Sequence, residues 1–302
     1  MTDPLSNPLS NPLTIDASDP TEVAPGVWIV SDHFIPLVPN AAIIEGTDAV
    51  LVFETGMGPA SGTAMLEKAL EIAAGRPLYL TLSHFHPEHA FGAQVFKGTA
   101  TIVYNESQRL ELADKGAGYL ELFATFGPDV ADALDGVVLV EPDRTYSGRT
   151  QIDLGGRVVE LIEIGQAHTR GDQLVWLPEE RIVFAGDLLE TNVFPIFPFF
   201  PPDDTDVDGN LWIDALHVIR DLEPAIIVPG HGHLGGTELV DIAEDYLRDL
   251  GSRTIALRDG GLGDDEVVAE LTPAVEQEHA GWREPNWVES GIRSFLATGF
   301  SR

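Results

Sequence analysis

Three of the chain's nine histidines and one carboxylate fall within six positions, His84, His86, Glu88 and His89, in the stretch Ser83-His84-Phe85-His86-Pro87-Glu88-His89. Imidazole and carboxylate are the donors that hold zinc at neutral pH where no thiolate is present. The apolar run Leu78 to Leu82 reads as a buried strand, which puts the histidines in the turn at its carboxyl end. Residues two apart on an extended chain point the same way, so His84 and His86 can converge on one ion. Pro87 then turns the backbone, and Glu88 and His89 open the next segment. One short stretch can thus serve two adjacent metal positions.

A histidine-rich run on its own is as readily a surface tract as a site. Three further stretches give it weight: Gly165-Gln166-Ala167-His168-Thr169-Arg170-Gly171-Asp172, Phe184-Ala185-Gly186-Asp187 and Val228-Pro229-Gly230-His231-Gly232. Together, over about residues 26 to 250, they resemble the metallo-β-lactamase superfamily. Its motifs run H-x-H-x-D-H, a lone His before a T/S-x-G-D turn, a G-D and a G-H. One departure is plain: Glu88 stands where the family has Asp.

The resemblance implies an α/β fold, a four-layer αββα sandwich, and assigns the ligands residue by residue. His84, His86 and His168 would hold one metal, Glu88, His89 and His231 a second, and Asp187 would bridge the two. The expected cofactor is zinc, one or two ions, with iron as the alternative. Zinc brings the pKa of bound water to about 7 and polarises a carbonyl or phosphoryl oxygen under attack. Glutamate carries its carboxylate about 1.5 Å further out than aspartate, more than a metal-ligand distance tolerates. The second ion is therefore open to being weak, displaced or absent, with Glu88 then acting through a water as general base beside a single zinc. Glu54, in a turn that often carries Asp in the family, is a candidate compensating partner.

The expected activity is zinc-dependent hydrolysis of an amide or ester-type carbonyl in a small-molecule substrate, a β-lactam being the leading named candidate. A lactonase or glyoxalase II-like thioesterase is the alternative, although no basic cluster is present to hold a glutathione carboxylate. An iron-binding oxidoreductase of the same fold is a further reading, against which stands His86 where the diiron branch has Glu. A binding protein with a crippled site is the third class. The loops Phe194 to Pro202 and His33 to Pro39 offer apolar walls for a substrate, or else bury their rings in the protein or a dimer contact. His233 is the best of the other histidines, as a support for a ligand or a substrate contact. His33, His217 and His279 read as surface or packing residues.

The balance of 17 basic against 49 acidic residues, a formal net charge of −32, opposes binding to nucleic acid or anionic lipid. No apolar run approaches bilayer length, so no membrane partner is expected. The absence of cysteine removes disulfides, thiolate nucleophiles and Cys-containing zinc sites. The start of the chain shows no signal-peptide pattern, which suits a cytoplasmic protein, or a periplasmic one whose signal was removed.

To position these residues the chain supplies short strands and amphipathic helices. Residues 1 to 20, with prolines at 4, 8 and 12, read as an extended, poorly packed arm, and 21 to 302 as one domain. Strands are predicted at Val27 to Val30, Ala41 to Glu45, Ala49 to Phe53 and Ala100 to Tyr104, with a helix over Ser61 to Ala74. A helix over Glu106 to Phe126 is predicted to break at Gly116 and Gly118. Later strands are expected at Val137 to Val140, Gln151 to Leu154, Val158 to Ile164, Gln173 to Leu177, Arg181 to Phe184 and Ala225 to Val228. Helices are expected at Gly209 to Leu222, Thr237 to Leu250, Asp264 to Leu271 and Val288 to Ala297. From about 260 this makes a helical extension, packed on the domain or on a second subunit of a homo-oligomer.

Overall fold

The computed structural model describes residues 11–301. They form two compact units, one ending at Glu163 and including Leu177–Glu179, the other made of Ile164–Trp176 and the chain from Glu180 on. The first unit is built on a seven-stranded sheet ordered β1 (Thr21–Ala24), β2 (Val27–Val30), β3 (Ala41–Glu45), β4 (Val50–Phe53), β5 (Leu78–Thr81), β6 (Ala100–Asn105) and β7 (Arg144–Tyr146). The first four strands form an antiparallel meander, and β4 to β7 run parallel. Strands β3 and β4 are almost wholly buried, which is why they read as unbroken apolar runs without alternation. The parallel connections carry helices α1 (Pro59–Ala73), α2 (Pro87–Ala90), α3 (Glu106–Phe123) and α4 (Pro128–Ala133). Pro59 and Pro87 sit in the first turns of α1 and α2, where a missing N–H costs no helical hydrogen bond.

The hairpin of β8 (Arg149–Asp153) and β9 (Val158–Gly165) opens the five-stranded second sheet, whose order is β12-β11-β10-β9-β8. Its other members are β10 (Asp172–Leu177), β11 (Ile182–Glu190) and β12 (Ile226–His231), the last two parallel. Helices α5 (Gly209–Asp221), α6 (Glu238–Asp259), α7 (Asp264–Glu278) and α8 (Asn286–Thr298) belong to the second unit. Among the described residues no helix is long and apolar enough to cross a membrane.

Several elements differ from expectation for identifiable reasons. Helix α3 runs through Gly116 and Gly118 unbroken; a β-carbon at Gly116 would lie 2.7 Å from the Leu139 side chain, so this glycine permits close packing. Val137 to Val140 forms no strand, and the Gln94 side chain instead takes up backbone groups there, accepting from Val138 N–H and donating to Gly136 C=O. Helix α6 continues through Gly251, where a β-carbon would meet the Phe300 ring at 2.5 Å. Helix α7 passes Pro273 to reach the buried Val275. Strand β11 extends six residues beyond Phe184, and β12 extends to His231, so Asp187 and His231 lie on strands rather than in loops.

The first ten residues of the expected arm lie outside the described ones, but residues 11 to 17 are packed. Leu13, Ile15 and Ala17 alternate inward and are buried, as a period of two requires. Ile15 N–H donates to Ser61 Oγ at 3.1 Å, and Asn11 Nδ2 donates to the Asp129 carbonyl at 2.7 Å. Ile15→Ala is expected to destabilise the protein by about 2 to 5 kcal/mol in urea unfolding, because it opens a cavity at a fully buried site.

On the second unit, α5 and α6 are joined by Glu244, which meets His217 at 3.0 Å, Arg220 at 2.8 Å and Arg248 at 2.6 Å. Burial raises its pKa, but the hydrogen bonds from His217, Arg248 and Arg220 outweigh that and bring it down to about 2. A depressed carboxylate stabilises the fold above its unfolded pKa of about 4.3, and that stability is lost as pH falls towards the folded value. With half-exposed partners screened by solvent, the contribution is about 1 to 2 kcal/mol. The urea-midpoint gap between wild type and Glu244→Gln should be full at pH 7 and close progressively below about pH 4.5.

Candidate metal centre

The first unit supplies four of the expected ligands from one turn. Strand β5 ends at Thr81 and the chain then bends through Ser83, His84 and Phe85 rather than continuing as the extended segment expected, with the Phe85 ring 4.8 Å from that of His86. Phe85 is fully buried and meets Tyr119 of α3 edge-on at 4.9 Å, while His86 stacks on the same Tyr119 at 5.0 Å. His86 precedes Pro87 and takes the extended backbone that a following proline favours, which sets the start of α2. Glu88 and His89 lie in α2, and all four side chains are buried.

Each ring is held by its neighbours. Ser83 Oγ lies 2.8 Å from His84 Nδ1, and His84 Nε2 faces His86 Nδ1 at 3.0 Å. Glu54 Oε1 accepts from Ser83 N–H at 3.1 Å and lies 3.3 Å from His89 Nδ1. A carboxylate opposite Nδ1 favours a proton there and leaves the lone pair on Nε2. Glu54 reaches this place from a left-handed backbone, φ 69°, a conformation costly for a residue with a β-carbon. Thr55 secures the same turn, its N–H and hydroxyl both donating to the His89 carbonyl at 2.9 Å.

The second unit supplies the other three. The turn carrying His168 is closed by Asp172, whose carboxylate accepts from Thr169 N–H at 2.9 Å and from the Thr169 hydroxyl at 2.6 Å. The Arg170-Gly171-Asp172 tripeptide is part of this turn, and Arg170 pairs with Asp206 at 3.0 Å. His168 Nδ1 lies 2.9 Å from the Ile196 carbonyl. A carbonyl can only accept, so Nδ1 carries the proton and Nε2 holds the lone pair.

Asp187 is aimed by a bulge: the β11–β12 register shifts between Phe184 and Gly186, and Gly186 sits at φ 54°. A β-carbon at Gly230 would lie 1.9 Å from Asp187 Oδ1, so only glycine lets β12 pass the carboxylate. Asp187 Oδ2 lies 3.8 Å from His168 Nε2, and Oδ1 lies 3.6 Å from His231 Nε2. These separations exceed hydrogen-bond length. They are close to the roughly 3.4 Å between two ligand atoms on one tetrahedral zinc with bonds near 2.1 Å.

All seven expected residues are buried and fall into two groups, His84, His86 and His168, and Glu88, His89, Asp187 and His231. Within each, one ligand atom per residue lies within 4.8 Å of the others. The donors are nitrogen and oxygen only, the set that zinc or iron accepts. Other residues do different work. His233 has an exposed ring and offers its carbonyl to the Thr191 hydroxyl at 3.1 Å, His217 is tied to Glu244, and His279 lies against Trp282 at 4.2 Å. Of the proline-rich loop, Phe194 and Phe197 are buried within the second unit, and Phe199 and Phe200 are half-buried.

A family model described as the metallo-beta-lactamase superfamily matches residues 35–231. The chain is 29% identical over 102 residues to a metallo-beta-lactamase type 2 of Bacteroides fragilis, a match spanning 33% of this chain and 39% of that protein. It is 25% identical over 227 residues to an acyl-coenzyme A thioesterase of Homo sapiens, across 70% of this chain and 80% of the relative. The structure of a metallo-beta-lactamase from Pontibacter korlensis superposes with a TM-score of 0.61 at 19% identity, covering 76% of this chain and all but 1% of the other. The fold is the α/β fold of the metallo-β-lactamases, and the chain belongs to the metallo-β-lactamase superfamily.

Proposed function

We propose that this protein is a metal-dependent hydrolase with two adjacent metal positions, His84, His86 and His168 at one and Glu88, His89 and His231 at the other, with Asp187 shared. The observation that carries the reading is Asp187, which presents one oxygen to His168 and the other to His231 at ligand-to-ligand spacing. Zinc held there would supply Lewis acidity, making water acidic enough to serve as a nucleophile near neutral pH and polarising a carbonyl. The chain's own part is to fix each ring's tautomer, through Ile196 C=O for His168 and Glu54 for His89, so that the nitrogens facing the metal are unprotonated. Glu88 and Asp187 are the carboxylates placed to hold or move a proton.

The substrate we favour is a small molecule with a strained or activated carbonyl, a β-lactam foremost. One relative is a β-lactamase and another an acyl-coenzyme A thioesterase, so the thioester is the second reading. The net charge of −32 weighs against a polyanionic thioester, since the protein's field would repel it. Burial of Phe194 and Phe197 leaves Phe199, Phe200 and the His33 to Pro39 loop as the candidate apolar contacts.

Zinc-loaded protein assayed against penicillin, cephalosporin, carbapenem, lactone and acyl-thioester panels should hydrolyse a β-lactam. It should lose that activity on chelation and recover it with zinc. Failure to retain any metal would sink the reading, and turnover confined to thioesters would move it to the second. Glu54→Ala should weaken zinc binding by about tenfold in competition with a chromophoric chelator, with Glu54→Gln milder because the amide oxygen still accepts from Ser83.

A further inference from the structure

Helix α8 lies outside the residues that match the family model, yet its contacts lead to a metal-ligand candidate. Phe295 is fully buried and meets Phe197 at 5.7 Å, and Phe197 also meets Trp212 of α5 at 5.2 Å. The fit is close on all sides. A β-carbon at Gly209 would fall 2.2 Å from the Phe295 ring, and one at Gly291 of α8 would fall 3.2 Å from Phe197. Phe197 fixes the loop whose preceding residue, Ile196, offers its carbonyl to His168 Nδ1.

A second line of contacts reaches the same histidine from its own backbone. Ser294 Oγ of α8 donates to the Val207 carbonyl at 3.2 Å, and the next residue, Asp208, donates its N–H to the Ala167 carbonyl at 2.9 Å. Trp212 closes the triangle: its ring meets His168 edge-on at 5.5 Å, and its Nε1 donates to the Leu188 carbonyl at 2.9 Å, beside Asp187. The ring of His168 and the backbone of the residue before it are therefore braced from α8.

We infer that α8, through Phe295 and Phe197, is a positioning element for His168 that sets the tautomer and aim of its imidazole. Phe295 touches no reacting group and acts through the Ile196 carbonyl. The inference rests on the metal-site reading for its consequence, though the brace on His168 stands without it.

The test compares Phe295→Ala, a truncation, and Gly291→Ala, which crowds Leu250 and Phe197, with Leu271→Ala, a truncation at a buried position of α7. Two measurements are made on folded full-length protein: zinc affinity by chelator competition, and the His168 Nδ1–H resonance of the metal-free protein in nitrogen-15 spectra. That N–H is protected from exchange by its bond to Ile196. Phe295→Ala should lose the protected signal and bind zinc about tenfold more weakly. Gly291→Ala should move both in the same direction, Phe295→Met should restore most of the loss, and Leu271→Ala should leave both within twofold. If Phe295→Ala fails to fold, Gly291→Ala and Phe295→Met carry the comparison. An unchanged Nδ1–H signal in the α8 variants, or an equal loss in Leu271→Ala, overturns the inference. His168→Ala separates the two readings: undiminished zinc affinity in that variant defeats the metal site itself, whatever the ring signal reports about α8.

Discussion

A buried imidazole is useful as a ligand only when one nitrogen is bare and aimed, and burial alone secures neither condition. Here the opposite nitrogen has a partner, the Ile196 carbonyl for His168 and the Glu54 carboxylate for His89. Much of the surrounding structure follows from placing those partners. The left-handed backbone at Glu54, the double hydrogen bond from Thr55 to the His89 carbonyl and the Asp172 clasp on the His168 turn are all devices that hold an acceptor or a ring in place. Isolated, each would be an oddity of a loop.

The candidate ligands could be singled out in the sequence because metal chemistry restricts the residue types and four of them crowd into six positions. His84 and His86 alternate with a core phenylalanine, and that pattern is visible in the text of the chain. What supports them was less so. Ile196 contributes a carbonyl that any residue would have, so nothing in its identity marks it. Glu54 could be singled out only as an acid in a suggestive turn, and its link to His89 needed coordinates. The extent of β11 and β12 was underread because Gly186 and Gly230 look like strand ends, whereas one serves a bulge and the other makes room for a carboxylate.

The same ambiguity of glycine explains the misread helices. Gly116 and Gly251 each give way to a side chain that would otherwise collide, and the helix pays about 1 kcal/mol for each without ending. Val137 to Val140 failed in the opposite sense. Four β-branched and aliphatic residues satisfy strand propensity, but Gln94 takes up backbone groups that a sheet neighbour would have used, and Val138 is left exposed. Local preference was overruled by the partner actually present.

The packed segment at residues 11 to 17 bears on the order in which the molecule is made. Its hydrogen bonds reach forward 46 residues to Ser61 and 118 to Asp129, so the anchor at Asn11 can form only after the chain through Asp129 has left the ribosome. Both bonds are long-range closures, and the one at Asp129 becomes available after the one at Ser61.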